Sequence, residues 1–254
     1  MAKQMAEKEI ITLITGANKG IGFATAEGLG KLGQHILVGA RDAKRGQNAV
    51  EKLQAEGYKA TFIQLDVTNK AQIQNAADEI KQKFGYLSVL VNNAGITLGH
   101  HTKASEMSTD EIRKIFDVNF FGLLDVTQAM VPLLKKGRPA KIVNVSSDMG
   151  SLGLATDPQS RFYRISSVGY QASKAAANFA TIDFSKELSA SDIIVNAVNP
   201  GATNTEFGGR PKGLKIPGMN SVEAGAAQIV KMASLPFDEK VTGTFTENVG
   251  TLPW

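Results

Sequence analysis

The sequence predicts a single α/β domain, a doubly wound parallel sheet of about seven strands with helices on both faces. Short apolar runs alternate with amphipathic stretches along the chain, which is the pattern of repeated βαβ units. Several runs are nearly continuous Val, Ile and Leu, as expected of strands that are covered on both faces. No repeat, low-complexity linker or break divides the sequence, so residues 1–254 are predicted to form one domain.

Turn residues and periodicity define the predicted elements. Apolar side chains recur at helical spacing over residues 73–84, and Gly33, Gly57 and Gly85 stand where helices should end. Ser108 begins a capping box that opens another helix. The predicted strands are residues 10–14, 35–39, 60–65, 87–91, 141–145, 193–198 and 243–246.

Composition excludes several classes of protein. Charged residues make up 20% and hydrophobic residues 43% of the chain, which is typical of a globular fold and not of a disordered one. Because the sequence has no cysteine, disulfides and thiolate metal sites are excluded, and no metal is predicted. No apolar run approaches the roughly 20 residues that span a bilayer, and the N-terminal segment lacks the apolar core of a secretory signal, so we expect a cytoplasmic protein. The net charge of +4 is scattered without a basic run, so no nucleic-acid partner is expected.

The first predicted strand ends in a glycine-rich turn, residues 15–22, that leads into a helix. Glycines there allow a tight turn and a close backbone approach to a pyrophosphate, and the helix N-terminus supplies free N–H groups. The spacing differs from the commoner G-x-G-x-x-G, so the interpretation depends on the position of the turn in the first βαβ unit. A dinucleotide site of the Rossmann type is predicted, contacted by Gly16, Asn18, Lys19, Gly20, Ile21 and Gly22.

The motifs along the chain resemble those of the short-chain dehydrogenase/reductase family. They match in family order and cover essentially the whole chain: Thr15 to Gly22, Asn92-Asn93-Ala94-Gly95, Asn119, Ser147, Tyr170-x-x-x-Lys174, and Asn199-Pro200-Gly201 with Thr205. The turn, Ala40-Arg41-Asp42 and Trp254 also resemble the NADPH-dependent carbonyl reductases of that family. The resemblance implies further cofactor contacts from Asp66, Val67, Asn93, Ala94, Gly95, Tyr170, Lys174, Pro200, Gly201, Thr203 and Thr205. Asp66 has an alternative interpretation, as the cap of the following helix.

Tyr170 and Lys174 stand at positions i and i+4, so they share one face of a helix. A tyrosine has a pKa of about 10 in water, and a nearby ammonium is expected to lower it. Tyr170 is therefore predicted to give a proton to a carbonyl oxygen, and Ser147 to donate a hydrogen bond to the same oxygen. The resemblance implies that Asn119 anchors a water in the proton path and that Lys174 also holds the nicotinamide ribose.

Some residues have competing interpretations. Ser146 is the rival of Ser147, but alternation along the strand and the family pattern favour Ser147. Tyr163 lacks a lysine four residues later. The histidines are interpreted as structural or surface residues, with the second and third also candidates for substrate contact: His35, His100 and His101.

Two rules conflict over the choice of cofactor. An acid about 20 residues past the glycine turn marks NAD binding, and this count reaches Asp42. However, the second strand ends near Gly39, so its tip is Ala40 followed by Arg41, and Asp42 is better placed to cap the next helix. A small residue followed by arginine suits a 2′-phosphate, and Lys19 adds a second positive charge. The predicted cofactor is NADPH/NADP.

The predicted substrate site lies at the carboxyl ends of the strands. Residues 201–220, rich in Gly and Pro, are predicted to form a mobile substrate lid. The segment between Ser147 and Tyr170 is longer than in most of the family, and the extra residues near 155–167 could shield a helix that packs subunits in many members, so monomer and homo-oligomer both stay open. Residues that suggest a pocket for an apolar carbonyl substrate are Met149, Leu152, Leu154, Phe162, Phe207 and Met219.

The predicted function is NADPH-dependent reduction of an aldehyde or ketone to an alcohol. Two alternatives remain on the same fold. One is a redox-neutral epimerase or dehydratase, although such relatives usually carry an added substrate domain. The other is a cofactor-binding regulator without turnover, although all four residues that match the family's catalytic tetrad are present: Asn119, Ser147, Tyr170 and Lys174.

Overall fold

A mostly parallel sheet forms the centre of the computed structural model, which describes residues 8–99 and 102–254. The strand order is β3-β2-β1-β4-β5-β6-β7-β8, so the chain reverses its direction of winding between β1 and β4. The strands are β1 (Ile11–Thr15), β2 (His35–Ala40), β3 (Ala60–Gln64), β4 (Val89–Asn92), β5 (Ala140–Val145), β6 (Ile193–Val198), β7 (Phe245–Glu247) and β8 (Gly250–Thr251). The predicted doubly wound α/β fold is confirmed.

The strand at the edge of the sheet was not predicted. β8 pairs antiparallel with β7 and has only two residues, too few to show any periodicity in the sequence. The seven predicted strands are all present, and their ends lie within two residues of the predicted bounds.

Helices cover both faces of the sheet. One layer packs α3, α5 and α7 against the strands, and the other packs α1, α2 and α8. A π-helical turn, Asp117–Phe121, joins α4 directly to α5. The helices are α1 (Gly20–Lys31), α2 (Ala43–Ala55), α3 (Lys70–Lys83), α4 (Thr109–Phe116), α5 (Gly122–Gly137), α6 (Leu152–Thr156), α7 (Val168–Leu188) and α8 (Val222–Ala233).

Alternation along the strands divides the core into two clusters. Leu13 and Leu90 face the α3, α5 and α7 layer, while their neighbours Ile14 and Val91 face the other layer. Successive side chains of a strand point to opposite faces, so these strands need apolar residues at every position. This requirement explains the continuous apolar runs.

Local signals set the helix ends as predicted. The Asp42 carboxylate accepts a hydrogen bond from the Arg45 N–H at 2.9 Å and caps α2. Gly33 and Gly57 follow α1 and α2 with φ of 83° and 84°, a conformation that favours glycine. Ser108 caps α4 through the Asp110 N–H.

Of the three histidines, His35 lies within the described residues. His35 packs against the edge of Phe84 and bonds to Thr61, which confirms its structural interpretation. His100 and His101 lie outside the described residues. Within residues 8–99 and 102–254, no helix combines the length and the apolar character needed to cross a bilayer.

Candidate active site

The glycine turn forms a backbone cradle between β1 and α1. Gly16 and Gly20 have φ of 67° and 57°. A Cβ at Gly22 would lie 2.5 Å from the Asn93 Nδ2 and 2.5 Å from the Gly16 carbonyl oxygen, so only glycine fits there. Lys19, the N-cap residue of α1, makes no side-chain hydrogen bond to the helix. The first N–H groups of α1 are therefore available to an anionic ligand.

The segment after β4 holds this turn in place. The Thr15 hydroxyl accepts hydrogen bonds from the N–H groups of Asn93 and Ala94, both at 2.9 Å. The Asn93 side chain donates to the Thr15 carbonyl oxygen at 2.9 Å. The structure thus brings the two predicted cofactor segments, the glycine turn and residues 93–95, into direct contact.

Buried amides connect the sheet to α7, the helix that carries Tyr170. The Asn92 amide donates to the Asn144 side-chain oxygen at 2.9 Å, and Asn144 donates to the Thr181 hydroxyl at 2.9 Å. Buried polar groups that are hydrogen-bonded across elements in this way specify one relative position of strands and helix. The register of α7 against β5 is therefore defined by hydrogen bonds as well as by packing.

Asn119 lies in the π-helical turn and is buried. Its amide donates to the Ile96 carbonyl oxygen at 2.9 Å and to the Ser173 hydroxyl at 3.0 Å, and its oxygen accepts from the Ile96 N–H at 2.8 Å. π-Helical turns occur often at functional sites. Asn119 therefore connects the loop after β4 to the first turns of α7 and is not a solvent-facing helix residue.

Lys174 is buried one turn after Tyr170 on α7. Its Nζ donates to the Val145 carbonyl oxygen at 2.7 Å and lies 5.9 Å from the centre of the Tyr170 ring. A Cβ at Gly95 would lie 3.6 Å from this Nζ, so the amine also reaches the loop after β4. Burial lowers the pKa of Lys174 to about 8.

The acidity of Tyr170 differs from the sequence-based expectation. Burial raises the pKa of Tyr170 to about 12; the hydrogen bond with Ser147 acts in the lowering direction, and the Asp148 carboxylate acts in the raising direction. The expected lowering of the Tyr170 pKa by Lys174 was wrong for this form of the protein, because the loss of hydration of the buried phenolate dominates the shift. Tyr170 is consequently protonated at neutral pH, which suits a proton donor.

The two neighbouring serines have separate environments. The Ser146 hydroxyl donates to the Asn178 side chain on α7. The Ser147 hydroxyl instead acts on Tyr170, whose pKa it shifts in the lowering direction, and it caps a short 3-10 turn through the Met149 N–H. The geometry therefore favours Ser147 as the partner of Tyr170, as the alternation along β5 indicates.

The segment of residues 201–220 covers both parts of the site. The Phe207 and Tyr170 rings lie 5.8 Å apart between their centres in an edge-on arrangement. The Glu206 carboxylate pairs with the Lys19 Nζ at 2.6 Å, and the Thr205 methyl group would lie 3.4 Å from a Cβ at Gly20. This segment therefore contacts the glycine turn and Tyr170 at the same time.

The base of the same segment is closed by backbone hydrogen bonds. The Asn220 N–H donates to the Ala202 carbonyl oxygen at 2.8 Å, and the Asn204 N–H donates to the Asn220 carbonyl oxygen at 3.0 Å. The Asn220 side chain donates to the Pro200 carbonyl oxygen at 3.3 Å, beside Gly201 with its φ of 69°. The segment is therefore a loop whose two ends are joined by hydrogen bonds and whose residues in between lie over the site.

A family model described as short chain dehydrogenase matches residues 10–211. The chain belongs to the short-chain dehydrogenase family. It is 34% identical to the short-chain dehydrogenase anuI of Penicillium roqueforti, over 95% of each chain. It is 32% identical to carbonyl reductase (NADPH) 1 of Mus musculus, over 98% of this chain and 100% of that one. The solved NADPH-bound carbonyl reductase from chicken fatty liver is similar, with a TM-score of 0.82 and 27% identity over 97% of this chain and 100% of that one.

This short-chain dehydrogenase has an acid beside its tetrad that sequence reasoning missed. The Asp148 carboxylate, 6% exposed, accepts a hydrogen bond from the Ser147 hydroxyl at 3.1 Å. Arg161, from the long segment before Tyr170, pairs with the other carboxylate oxygen at 3.2 Å. The acid directly after Ser147 was visible in the sequence, but its pairing with Arg161 depends on how the segment folds back.

The remaining predicted cofactor residues of the dehydrogenase lie along the same edge of the sheet. Arg41 is exposed at the end of β2. The Asp66 carboxylate accepts from the Thr68 N–H and hydroxyl at 3.0 and 2.8 Å, whereas α3 is capped by Asn69. The capping alternative for Asp66 was therefore wrong. Val67 packs closely against Gly122, since a Cβ at Gly122 would lie 2.9 Å from the Val67 Cγ2.

The predicted apolar pocket residues differ in how close they come to the tetrad. Phe207 packs against Tyr170, and Met149 lies in the 3-10 turn that Ser147 caps. Phe162 is buried, but Leu152 is 68% exposed and is the least suited of the set to line a pocket.

Proposed function

We propose that this chain reduces an apolar aldehyde or ketone to an alcohol with NADPH, using Tyr170 as the general acid. The observation that carries the proposal is the meeting of Tyr170, Ser147 and Lys174 beside a backbone cradle of the kind that accepts a dinucleotide pyrophosphate. When bound, the cofactor would supply a hydride to the carbonyl carbon.

The residues of the cradle fit the cofactor. The space that a Cβ at Gly22 would fill and the uncapped N-terminus of α1 suit a pyrophosphate. Arg41 and Lys19 lie at the positions that suit a 2′-phosphate, and two of the similar carbonyl reductases are named as using or binding NADPH. Asp66, Val67, Pro200, Gly201, Thr203 and Thr205 would complete the cofactor site.

Each residue of the tetrad would have a separate role in the reduction. Tyr170, protonated because burial raises its pKa to about 12, would give its proton to the carbonyl oxygen. Ser147 would polarise the same oxygen with its hydroxyl. Lys174 would hold the ribose and stabilise the phenolate that forms, and Asn119 would keep the loop after β4 in register with α7.

Mixing the protein with NADPH and a panel of aldehydes and ketones tests this function. Absorbance of the reduced nicotinamide should fall only when a carbonyl compound is present. A protein that binds NADPH without turnover would be a regulator, and turnover of a substrate without net oxidation of NADPH would indicate an epimerase or dehydratase.

Arg41→Ala is expected to lower the efficiency with NADPH by about 10- to 100-fold, because a hydrogen bond to a charged group contributes roughly 1.5–3 kcal/mol. NADH, which has no 2′-phosphate, should be used nearly as before. Lys44→Ala, another exposed cation on the following helix, is the matched control. Lys19→Ala should act in the same direction. If the wild-type protein used NADPH and NADH equally well, the prediction would be wrong, and Asp42 would be assigned as the acceptor of a hydrogen bond from the ribose 2′-OH.

Residues 201–220 are expected to act as a substrate lid. Without ligands this segment should exchange its amide hydrogens faster than any other internal segment, because lids come from the least stable parts of a fold. Hydrogen exchange should slow there in a ternary complex with NADP and an unreactive ketone analogue. Peptides from α8 serve as the control, and equal exchange in the free and ternary forms would contradict a lid.

A further inference from the structure

A buried lysine lies at the opposite edge of the sheet from the tetrad. Lys141 is in β5, paired with Val89 on one side and Ile194 on the other, near the beginning of the strand. Alternation places its side chain on the same face as Val143 and Val145, which belong to the core under α1 and α8. Only 2% of its surface is exposed. The strand pattern predicts an apolar residue at position 141.

The Lys141 amine has an aromatic neighbour but no counter-ion. Its Nζ lies 3.3 Å from the centre of the Phe237 ring, in the segment after α8. Within the described part of the chain, no carboxylate lies within 4.0 Å of it and no hydrogen bond involves it. In a buried position, a cation that lies over an aromatic ring is stabilised less than one paired with a carboxylate. The loss of hydration therefore dominates the pKa of the Lys141 amine. Burial lowers the pKa of Lys141 to about 8.

The other charged groups near this amine are engaged elsewhere. Asp192 pairs with Lys240, with 3.4 Å between the Oδ1 and the Nζ. The Glu239 carboxylate accepts from the N–H groups of Lys240 and Val241 at 2.8 and 3.1 Å. Both acids and Lys240 line the same pocket as Lys141, yet none neutralises its amine.

The pocket at Lys141 has room for a small organic molecule. Its volume is about 170 Å³, and its apolar walls include Pro139, Ile193, Pro236 and Phe237. An apolar cavity of about 150 Å³ is enough to bind benzene. A molecule of four to six carbon-sized atoms therefore matches this space.

We propose that Lys141 is a covalent site for small uncharged aldehydes, which form a reversible imine with its amine inside this pocket. The nitrogen lone pair attacks the aldehyde carbon, the carbonyl oxygen leaves as water, and a carbon–nitrogen double bond forms, with no change in oxidation state. Desolvated lysines in apolar pockets are activated toward carbonyl compounds in this way. Carbon dioxide would instead place a new carboxylate beside Asp192 and Glu239, and a bulky acyl carrier would not enter the pocket.

The test is to incubate the full-length protein with butanal at neutral pH, reduce the adducts with cyanoborohydride and map them by peptide mass spectrometry. The adduct at Lys141 should form at least about tenfold faster than those at exposed lysines, because burial lowers the pKa of Lys141 to about 8 and so leaves more of its amine neutral. The rate of labelling at Lys141 should rise with pH and reach a plateau above a pH of about 8. Glyoxylate, a charged aldehyde, should label Lys141 no faster than the exposed lysines.

Two variants identify the cause of the labelling. Phe237→Glu keeps the lysine but places a carboxylate beside it, so its pKa should rise and labelling should fall by at least about tenfold. Lys186→Met, which removes an exposed lysine outside this pocket, should leave labelling at Lys141 unchanged. The inference would be overturned if butanal labelled Lys141 at the rate of exposed lysines in the wild-type protein, or if Phe237→Glu had no effect.

Discussion

Tyr170→Phe is expected to lower turnover with NADPH and a carbonyl substrate by about 10²–10⁴, the usual contribution of a positioned general acid. The substitution keeps the ring and its edge-on packing against Phe207, whose centre lies 5.8 Å away, but removes the transferable proton. The loss should appear in turnover and not in NADPH affinity, because the phenol is only one of many cofactor contacts. Stopped-flow turnover together with fluorescence titration of NADPH separates the two quantities.

Tyr163→Phe is the matched control for this prediction. Tyr163 lies in the segment before α7 and is 52% exposed, so its hydroxyl should not affect turnover. Retention of more than about a tenth of wild-type turnover by Tyr170→Phe would rule out Tyr170 as the acid, since general acid catalysis contributes more than that.

Lys174→Ala is expected to lower turnover by about 10²–10³, the range for removing one buried electrostatic contact to a developing charge. The sign of the pH effect follows from burial. The pKa of Lys174 is lowered to about 8, so wild-type Lys174 is charged below that pH and loses its charge as the pH rises through it. Reduction by the wild-type protein should therefore decline above a pH of about 8, and this decline should be absent in the variant.

The oxidative direction gives an independent readout for Lys174. There the Tyr170 phenolate is the base, and a cation about 6 Å away favours the phenolate. The variant should therefore gain activity only at a higher apparent pKa than the wild-type protein. Lys186→Ala, on the exposed side of the same helix, is the control. An unchanged pH profile with only a weaker KM would show that Lys174 binds the cofactor and does nothing else.

Much of the proposed site could be predicted from the sequence because each of its motifs is a short segment of the chain. The glycine turn is one short segment, and the i, i+4 spacing of Tyr170 and Lys174 fixes their common face on a helix. The helix cap at Asp42 likewise follows from three neighbouring residues, and it decided which residue stands at the tip of β2. Local rules of this kind need no knowledge of how the chain folds back on itself.

Electrostatic environment was harder to predict. From the sequence, the nearest charge to Tyr170 is Lys174, and that alone predicts a lowered pKa. The net effect was the reverse, because burial of the phenol comes from packing by distant segments, among them Phe207. The ion pair between Asp148 and Arg161 was missed for the same reason, since its partners meet only when the long segment before Tyr170 is folded.

The sequence by itself determined the order of the seven predicted strands, because most of them are covered on both faces and are nearly continuous apolar runs, while the helices between them show apolar stripes. It also predicted the residues of the proposed tetrad and cradle. Only the tertiary structure decided the contact of Glu206 with Lys19 and the acid beside Ser147. It also decided that, at the opposite edge of the sheet, the amine of Lys141 lies beneath Phe237. Hydrophobic periodicity is a property of neighbours in the chain, whereas burial and charge pairing are sums over neighbours in space, and those are known only when the chain is folded.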